Sequence, residues 1–166
     1  MNIVLHQPEI PHNTGAIGRT CLVTGSVLHL IHPLGFFLDE KSLLRSGLDY
    51  WDKITVHEYD NFNDFLSRNP TARFHLIETG GSMNYTQVRY FPDDYLIFGS
   101  ETSGLPGEIL GKFRDKIISI PMLRDSRSLN LSVSVGIVLY EALRQSTNGT
   151  FFANINSPKE AKKWSH

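Results

Sequence analysis

Short apolar runs alternate with stretches of helical periodicity along this chain of 166 residues. The apolar runs predict strands near residues 2–5, 27–31, 54–57, 74–77, 95–98 and 117–120. The stretches between them predict helices near residues 14–24, 39–46, 62–69, 106–113 and 131–145. Such alternation indicates an α/β fold in which helices flank a mostly parallel sheet. Ligands of these sheets bind beyond the carboxyl ends of the strands, so we expect a site among the loops that follow strands.

Length and composition predict one domain over residues 1–150, followed by a tail or loosely docked helix over residues 151–166. No apolar run approaches the length of a membrane span, and the N-terminus lacks the basic start and apolar region of a signal peptide. The single cysteine, Cys21, allows no intrachain disulfide, which fits a reducing compartment. We therefore expect a cytoplasmic protein that has no membrane partner.

The net charge and the histidines bear on two kinds of site, one for a nucleic acid and one for a metal ion. The formal net charge is −1, which counts mildly against nucleic-acid binding but leaves room for a local basic face. The 7 histidines form no H-E-x-x-H helix or similar ligand set. We therefore expect no metal ion in the site.

Three polar segments flank predicted strands and helices. Residues 8–20 follow the first strand, and residues 99–108 contain three glycines, which permit close approach of the backbone to a ligand. Residues 121–130 are rich in hydroxyls and arginines and form a longer connection than a strand-to-helix turn requires. Each segment alone has an ordinary explanation. Ser128 or Asn130 could simply cap the last helix, and the glycine-rich turn is neither a dinucleotide fingerprint nor a phosphate loop.

Taken in order, the three segments resemble the three motifs of the SPOUT class of RNA methyltransferases. The matching segments are Asn13-x-Gly15-x-x-x-Arg19, Phe98-Gly99-x-Glu101-x-x-Gly104-Leu105, Ile120-Pro121-Met122 and Ser128-Leu129-Asn130-Leu131-Ser132. The similarity runs from Asn2 to about Gln145, and it is greatest to the small single-domain tRNA 2′-O-methyltransferases that modify the wobble ribose. It implies a deep C-terminal trefoil knot, a feature so rare that no sequence pattern would suggest it alone.

The resemblance also implies a cofactor, S-adenosylmethionine, bound in a bent conformation by the knot loops. Its contacts are expected from eight residues: Ile77, Thr79, Gly99, Glu101, Ile120, Met122, Ser128 and Leu129. Backbone groups of these loops can recognise an adenine edge, and the apolar members supply walls. Core packing is the alternative for each apolar residue. Glu101 could instead be a helix-start carboxylate or a structural hydrogen-bond acceptor.

Arg19 and Asn13 are the expected catalytic residues. A guanidinium stays protonated, so we expect Arg19 to fork onto the phosphate beside the ribose and lower the pKa of the 2′-hydroxyl, not to act as a base. Asn13 could hydrogen-bond the ribose or hold Arg19, and the alternative for Arg19 is an exposed helix residue. The expected substrate contacts are basic or aromatic residues in or near the motifs: Arg124, Arg127, Tyr140 and Arg144. The last two lie on one helix face and could equally cover a dimer edge.

The last predicted helix is apolar over too wide a surface for a helix with one buried face. Its apolar residues are Leu131, Val133, Val135, Ile137, Val138, Leu139, Ala142 and Leu143. Burial against both the sheet and a second subunit would account for this pattern. The resemblance likewise implies a homodimer through the knot region, in which the motif-one arginine of the second subunit completes the site.

We therefore expect S-adenosylmethionine-dependent methyl transfer to the ribose 2′-hydroxyl of the wobble nucleotide, cytidine or uridine, of tRNA. The alternatives are the same chemistry on ribosomal RNA, or a non-catalytic RNA- or nucleotide-binding module on this fold. The presence of Asn13, Arg19 and Glu101 favours an enzyme. Ser103 and Val133 stand where close relatives of the wobble branch often carry arginine and asparagine, and these departures bear on substrate choice.

Overall fold

The computed structural model describes residues 1–37, 50–124 and 126–146. The helix predicted near residues 39–46 and the tail predicted over residues 151–166 lie outside this described part of the chain. Within it, the strands are β1 Asn2–His6, β2 Val27–Ile31, β3 Val56–Tyr59, β4 Phe74–Ile77, β5 Met83–Asn84, β6 Tyr95–Phe98 and β7 Ile117–Ser119. The helices are α1 Pro11–Thr24, α2 Phe62–Arg68, α3 Gly107–Lys112 and α4 Leu131–Ser146.

The strands form one sheet in the order β3-β2-β1-β6-β4-β7-β5, and every recorded pair is parallel. The predicted α/β class with a parallel sheet is therefore confirmed. Because all strands run in the same direction, the loops after β1, β4, β6 and β7 emerge at one edge of the sheet. This edge is where the three polar segments of the sequence meet.

The sheet separates the apolar core into two layers. On one face, Ile3 and Leu5 of β1 pack in a cluster with residues of α1 and α4. On the other face, Val4 packs in a cluster with Phe65 of α2 and Ile109 of α3. Successive side chains of a strand point to opposite faces, so a strand covered on both sides has to be apolar throughout. This requirement explains the uninterrupted apolar runs of the central strands.

The largest differences from the predicted boundaries have local causes. Helix α1 begins at Pro11, three residues before its predicted start, because a proline at the first helical position needs no backbone donor. Strand β3 begins two residues late, since Ile54 ends a 3₁₀ turn over Trp51–Lys53 and packs against the first core layer. Strand β5, Met83–Asn84, was not predicted because two residues cannot display an alternating pattern. The end of β3 also lies two residues later than predicted, and the remaining described ends differ by one residue at most.

A buried histidine adds an acid-sensitive element to this fold. His29 is 3% exposed, and its Nε2 lies 3.1 Å from Asn2 Oδ1, a pure acceptor, so Nε2 donates. Its Nδ1 then accepts the hydroxyl of Tyr59 at 2.9 Å. Burial, assisted by the nearby positive charges of His57 and Arg68, lowers the pKa of His29 from 6.5 to about 3.

We expect this histidine to weaken the fold as the pH falls. The unfolded chain takes up a proton near pH 6.5, whereas the folded chain resists it until about pH 3. Each pH unit in that window therefore costs up to about 1.4 kcal/mol of unfolding free energy. Denaturant titrations between pH 7 and 5 should show a shallower loss for His29→Gln than for the wild type. The exposed control His12→Gln should keep the wild-type slope, and equal slopes in all three proteins would contradict the prediction.

Candidate active site

A cavity of about 390 Å³ lies at the carboxyl ends of β4, β6 and β7. The loops after these three strands form most of its wall, and the start of α1 and the first turn of α4 complete it. Nine of the expected cofactor-binding and catalytic residues line this cavity: Asn13, Ile77, Thr79, Gly99, Glu101, Ile120, Met122, Ser128 and Leu129. The structure thus brings together all eight of the expected cofactor contacts and one of the two expected catalytic residues.

The loop after β6 is pinched at its base. Ser100 and Gly104 exchange two backbone hydrogen bonds, of 3.2 and 3.0 Å. A Cβ atom on Gly99 would lie 2.0 Å from the carbonyl carbon of Gly104, which is far inside van der Waals contact. Gly104 itself has a φ of +67°, a conformation that favours glycine. Glycine is therefore required at position 99 by the opposite arm of the same loop, whether or not a ligand approaches.

Glu101 joins this loop to the first motif. Its carboxylate accepts the backbone N–H groups of Glu9 at 2.7 Å and Ile10 at 3.2 Å, and the side-chain amide of Asn13 at 2.9 Å. Three donors converging on one carboxylate make it a structural acceptor, which was one of the alternatives left open by the sequence. Charge-assisted hydrogen bonds of this kind are the stronger ones in proteins.

Asn13 continues the network into the third motif. Its Oδ1 accepts the side-chain amide of Asn130 at 2.9 Å, so both polar ends of Asn13 are engaged within the chain. Asn130 also caps α4, because its Oδ1 accepts the backbone N–H of Ser132 at 2.9 Å. Asn13 is 4% exposed and makes its hydrogen bonds to Glu101 and Asn130, not to Arg19. The three motifs are thereby linked through side-chain hydrogen bonds.

Glu78 is a cavity residue that the sequence did not bring forward. It follows β4 directly, and its Oε1 accepts both the N–H and the hydroxyl of Thr79, at 2.8 and 3.1 Å. Its Oε2 accepts the N–H of Leu105 at 2.9 Å, beyond the pinched loop. The available signal was a single carboxylate placed immediately after a buried strand, a pattern too common to identify a site.

Arg19 lies on a different face of α1 from the cavity. It is six residues after Asn13, which corresponds to about 9 Å along the helix and about 120° around it. The side chain is exposed, and its guanidinium lies 5.0 Å from the centroid of the Tyr50 ring. The structure therefore does not bring Arg19 to the cavity of its own chain.

The four expected substrate contacts also lie outside the cavity lining. Arg124 and Arg127 are exposed in the segment between β7 and α4, and Tyr140 is 43% exposed on α4. Arg144 donates to both carboxylate oxygens of Glu141 at 2.8 Å, and this ion pair raises the pKa of Arg144. Arg144 is thus already paired within its own helix, whereas the two loop arginines border the cavity segment directly.

No cluster of three or more histidine, cysteine or acidic side chains in the described part of the chain could hold a metal ion. None of the helices described above has the length and apolar content that crossing a membrane demands.

Comparison with known proteins assigns the chain to a family. The profile of the SpoU rRNA methylase family matches residues 1–140. A tRNA (cytidine(34)-2′-O)-methyltransferase of Escherichia coli K12 is 47% identical over 146 residues, covering 87% of this chain and 93% of that protein. A solved structure concerned with the 2-OH methylation of C/U34 on tRNA matches with a TM-score of 0.82 at 44% identity, covering 89% of this chain and 96% of that one.

A more distant structure keeps the same fold. An AdoMet-bound rRNA methyltransferase from Sinorhizobium meliloti matches with a TM-score of 0.75 at 26% identity, covering 86% of this chain and 55% of that one. The family profile spans all three motifs and the first ten residues of α4, and the two small relatives named above match along more than nine tenths of their own length. This chain therefore belongs to the SpoU rRNA methylase family of RNA methyltransferases.

Proposed function

We propose that the protein transfers a methyl group from S-adenosylmethionine to the ribose 2′-hydroxyl of the wobble cytidine or uridine of tRNA. The observation that carries the proposal is the convergence of three motif loops on one cavity, in a chain that matches a wobble-nucleotide enzyme over 93% of that enzyme's length. A tRNA substrate also favours the cytoplasm as the site of action, and the family match over residues 1–140 supports residues 1–150 as the functional domain.

The cavity suits this cofactor. Its volume falls in the range of about 300–1,000 Å³ typical of small-molecule sites. Ile77, Ile120 and Leu129 offer apolar walls for an adenine, and the loops after β6 and β7 offer backbone donors and acceptors. We assign the binding role to the predicted set: Ile77, Thr79, Gly99, Glu101, Ile120, Met122, Ser128 and Leu129. When bound, S-adenosylmethionine supplies a methyl group made electrophilic by its sulfonium.

The protein's own contribution is mainly to position the reacting groups. Asn13 and Glu101 hold the loops together, and we assign to Arg19 the recognition of the phosphate beside the target ribose. A guanidinium forked onto that phosphate would stabilise charge developing on the 2′-oxygen as its proton leaves. Arg124 and Arg127, which border the cavity segment, are assigned to the RNA backbone, with Tyr140 and Arg144 at its edge.

We further propose a homodimer in which Arg19 of one subunit serves the cavity of the other. The face of α1 that carries Arg19 points away from its own cavity, which supports such an exchange. Helix α4 also keeps apolar side chains outside the core, since Val133 is 48% exposed and Tyr140 is 43% exposed. The deep trefoil knot typical of SPOUT enzymes belongs to the same proposal, and the segment from β6 to α4 would contain it.

Charges introduced on the two sides of α4 should separate folding from dimerisation. Val138 is fully buried within the single chain, so Val138→Asp is expected to lower the free energy of unfolding by about 3 kcal/mol or more and thereby prevent folding. Val133→Asp, on the exposed side, should leave the monomer folded but shift sedimentation at micromolar concentration from dimer to monomer. A wild-type monomer at that concentration, or a dimer unaffected by Val133→Asp, would contradict the proposed interface.

The function is tested on RNA from a strain that lacks the enzyme. Radiolabelled S-adenosylmethionine, the purified protein and bulk tRNA are expected to yield label in 2′-O-methylated wobble nucleosides after digestion. The family's name makes ribosomal RNA the second candidate, so ribosomal RNA from the same strain is assayed in parallel. Label in ribosomal RNA alone would replace the tRNA assignment, and label on a base would overturn the reaction class. Cofactor binding without labelling of either RNA would favour a binding module.

A further inference from the structure

The cofactor cavity carries negative charge that no cationic side chain on its described lining offsets. Glu78 and Glu101 are the charged residues among the described side chains that line it. Arg124 and Arg127, the two arginines of the loop after β7, are exposed and stand outside the lining. The described walls therefore contribute two carboxylates and otherwise neutral groups.

Both carboxylates are held in place by donors. Glu101 accepts two backbone N–H groups and the amide of Asn13, and Glu78 accepts from Thr79 and Leu105. A carboxylate fixed in this way does not need to reorganise when a ligand arrives, so its field acts at a constant position. Charges interact more strongly in a partly enclosed site than in open water.

The proposed reaction changes the charge of the ligand. The bond between sulfur and the methyl carbon breaks, its electron pair stays on sulfur, and the methyl carbon forms a bond to the 2′-oxygen as the hydroxyl proton passes to water. The positively charged sulfonium thereby becomes a neutral thioether, and the remainder of the cofactor keeps its charges. A cavity lined by carboxylates attracts the first form more than the second.

We propose that Glu78, acting with Glu101, makes this cavity select the sulfonium cofactor over its thioether product. The inference rests on the proposed function through the identity of the cofactor. Glu101 also binds the first motif, so removal of its charge would disturb the fold of the site. Glu78 is the residue at which the selectivity can be tested, and it is a specificity-determining residue for binding and for release of the product.

The test measures binding of three ligands by titration calorimetry. The ligands are S-adenosylmethionine, S-adenosylhomocysteine and sinefungin, an analogue with a protonated amine in place of the sulfonium. The wild type is expected to bind both cationic ligands at least about threefold more tightly than the thioether. In Glu78→Gln this preference should fall about threefold or more, with the affinity for the thioether changed least.

A matched control and the salt dependence complete the test. Glu108 is an exposed carboxylate of α3 that does not line this cavity, so Glu108→Gln should keep the wild-type preference. Raising the salt concentration from 50 mM to 500 mM should reduce the preference of the wild type through screening. If Glu78→Gln does not fold, the three ligands and the salt series on the wild type decide the matter.

Three outcomes would overturn the inference. They are equal affinity of the wild type for the three ligands, a preference insensitive to salt, and an unchanged preference in a folded Glu78→Gln. Any of these leaves the proposed function standing, because the cofactor still binds. Failure of all three ligands to bind would instead remove the proposed function, and the inference with it.

Discussion

Replacing Arg19 by alanine is expected to lower turnover at least about a hundredfold while leaving the affinity for S-adenosylmethionine nearly unchanged. Such a loss corresponds to about 2.7 kcal/mol of transition-state stabilisation. The reason is geometric. Arg19 is exposed on α1 and does not line the cavity of its own chain, so its removal spares the cofactor contacts. Methyl incorporation into tRNA measures the first effect, and titration calorimetry measures the second.

Arg19→Lys is the matched control for charge. An ammonium keeps the positive charge but cannot reproduce the two parallel hydrogen bonds of a guanidinium, so this variant should also fail. Full activity of Arg19→Ala would show that the arginine of the first motif takes no part in methyl transfer. A fall in cofactor affinity equal to the fall in turnover would instead indicate that Arg19 supports the cavity.

Mixing two inactive variants tests whether Arg19 acts across a dimer. One variant is Arg19→Ala, and the other is Leu129→Arg, in which a bulky charge enters the cavity from a residue that is 38% exposed. A mixed dimer then has one intact cavity served by one intact arginine. Statistical mixing should restore about a quarter of wild-type activity. No recovery after subunit exchange would contradict the exchange of arginines.

Gly99→Ala is expected to abolish cofactor binding and to lower the unfolding free energy by about 2 kcal/mol or more. The added Cβ would lie 2.0 Å from the carbonyl carbon of Gly104 and 2.3 Å from the backbone nitrogen of Leu105. Backbone atoms cannot rotate away as a side chain can, so the loop has to open and lose the Ser100–Gly104 pairing. Calorimetry with S-adenosylhomocysteine and denaturant titration measure the two effects.

Gly107→Ala provides the contrast. Gly107 lies in the first turn of α3, and a Cβ placed there would meet no atom within 4 Å. Alanine in a helix is about 0.5–1 kcal/mol more favourable than glycine, so this variant should be slightly stabilised and should bind the cofactor normally. A Gly99→Ala protein as stable as Gly107→Ala would show that the pinched loop has more room than its geometry indicates.

The sequence predicted the central sheet because burial on both faces leaves a plain signal. Strands β2, β4 and β6 matched their predicted bounds, since each is an apolar run between polar turns. The start of α1 was misplaced because glycines and a proline weaken its helical pattern. Elements with a clear local pattern were therefore predicted at the right positions, and the errors fell on elements whose pattern is weak.

The candidate site was likewise predicted in part. Motif resemblance was enough to name the eight expected cofactor contacts, because they lie at the end of β4 or in the loops that follow β4, β6 and β7. It could not reveal how Glu101 and Asn130 both reach Asn13, across 88 and 117 residues of sequence. Nor could it single out Glu78, whose role depends on the distance to Leu105 in another loop. Contacts of this range are properties of the folded chain and leave no local trace.

The network through Asn13 has a consequence for how the molecule can be divided. Most of the cavity wall comes from the loops after β4, β6 and β7, yet Glu101 takes its backbone partners from Glu9 and Ile10, just after the first strand. A fragment that begins after α1 would leave that carboxylate without those partners and the loop after β6 without its anchor. Fusion designs, circular permutants and split reporters built on this fold therefore have to keep the first dozen or so residues with the cofactor loops as one unit.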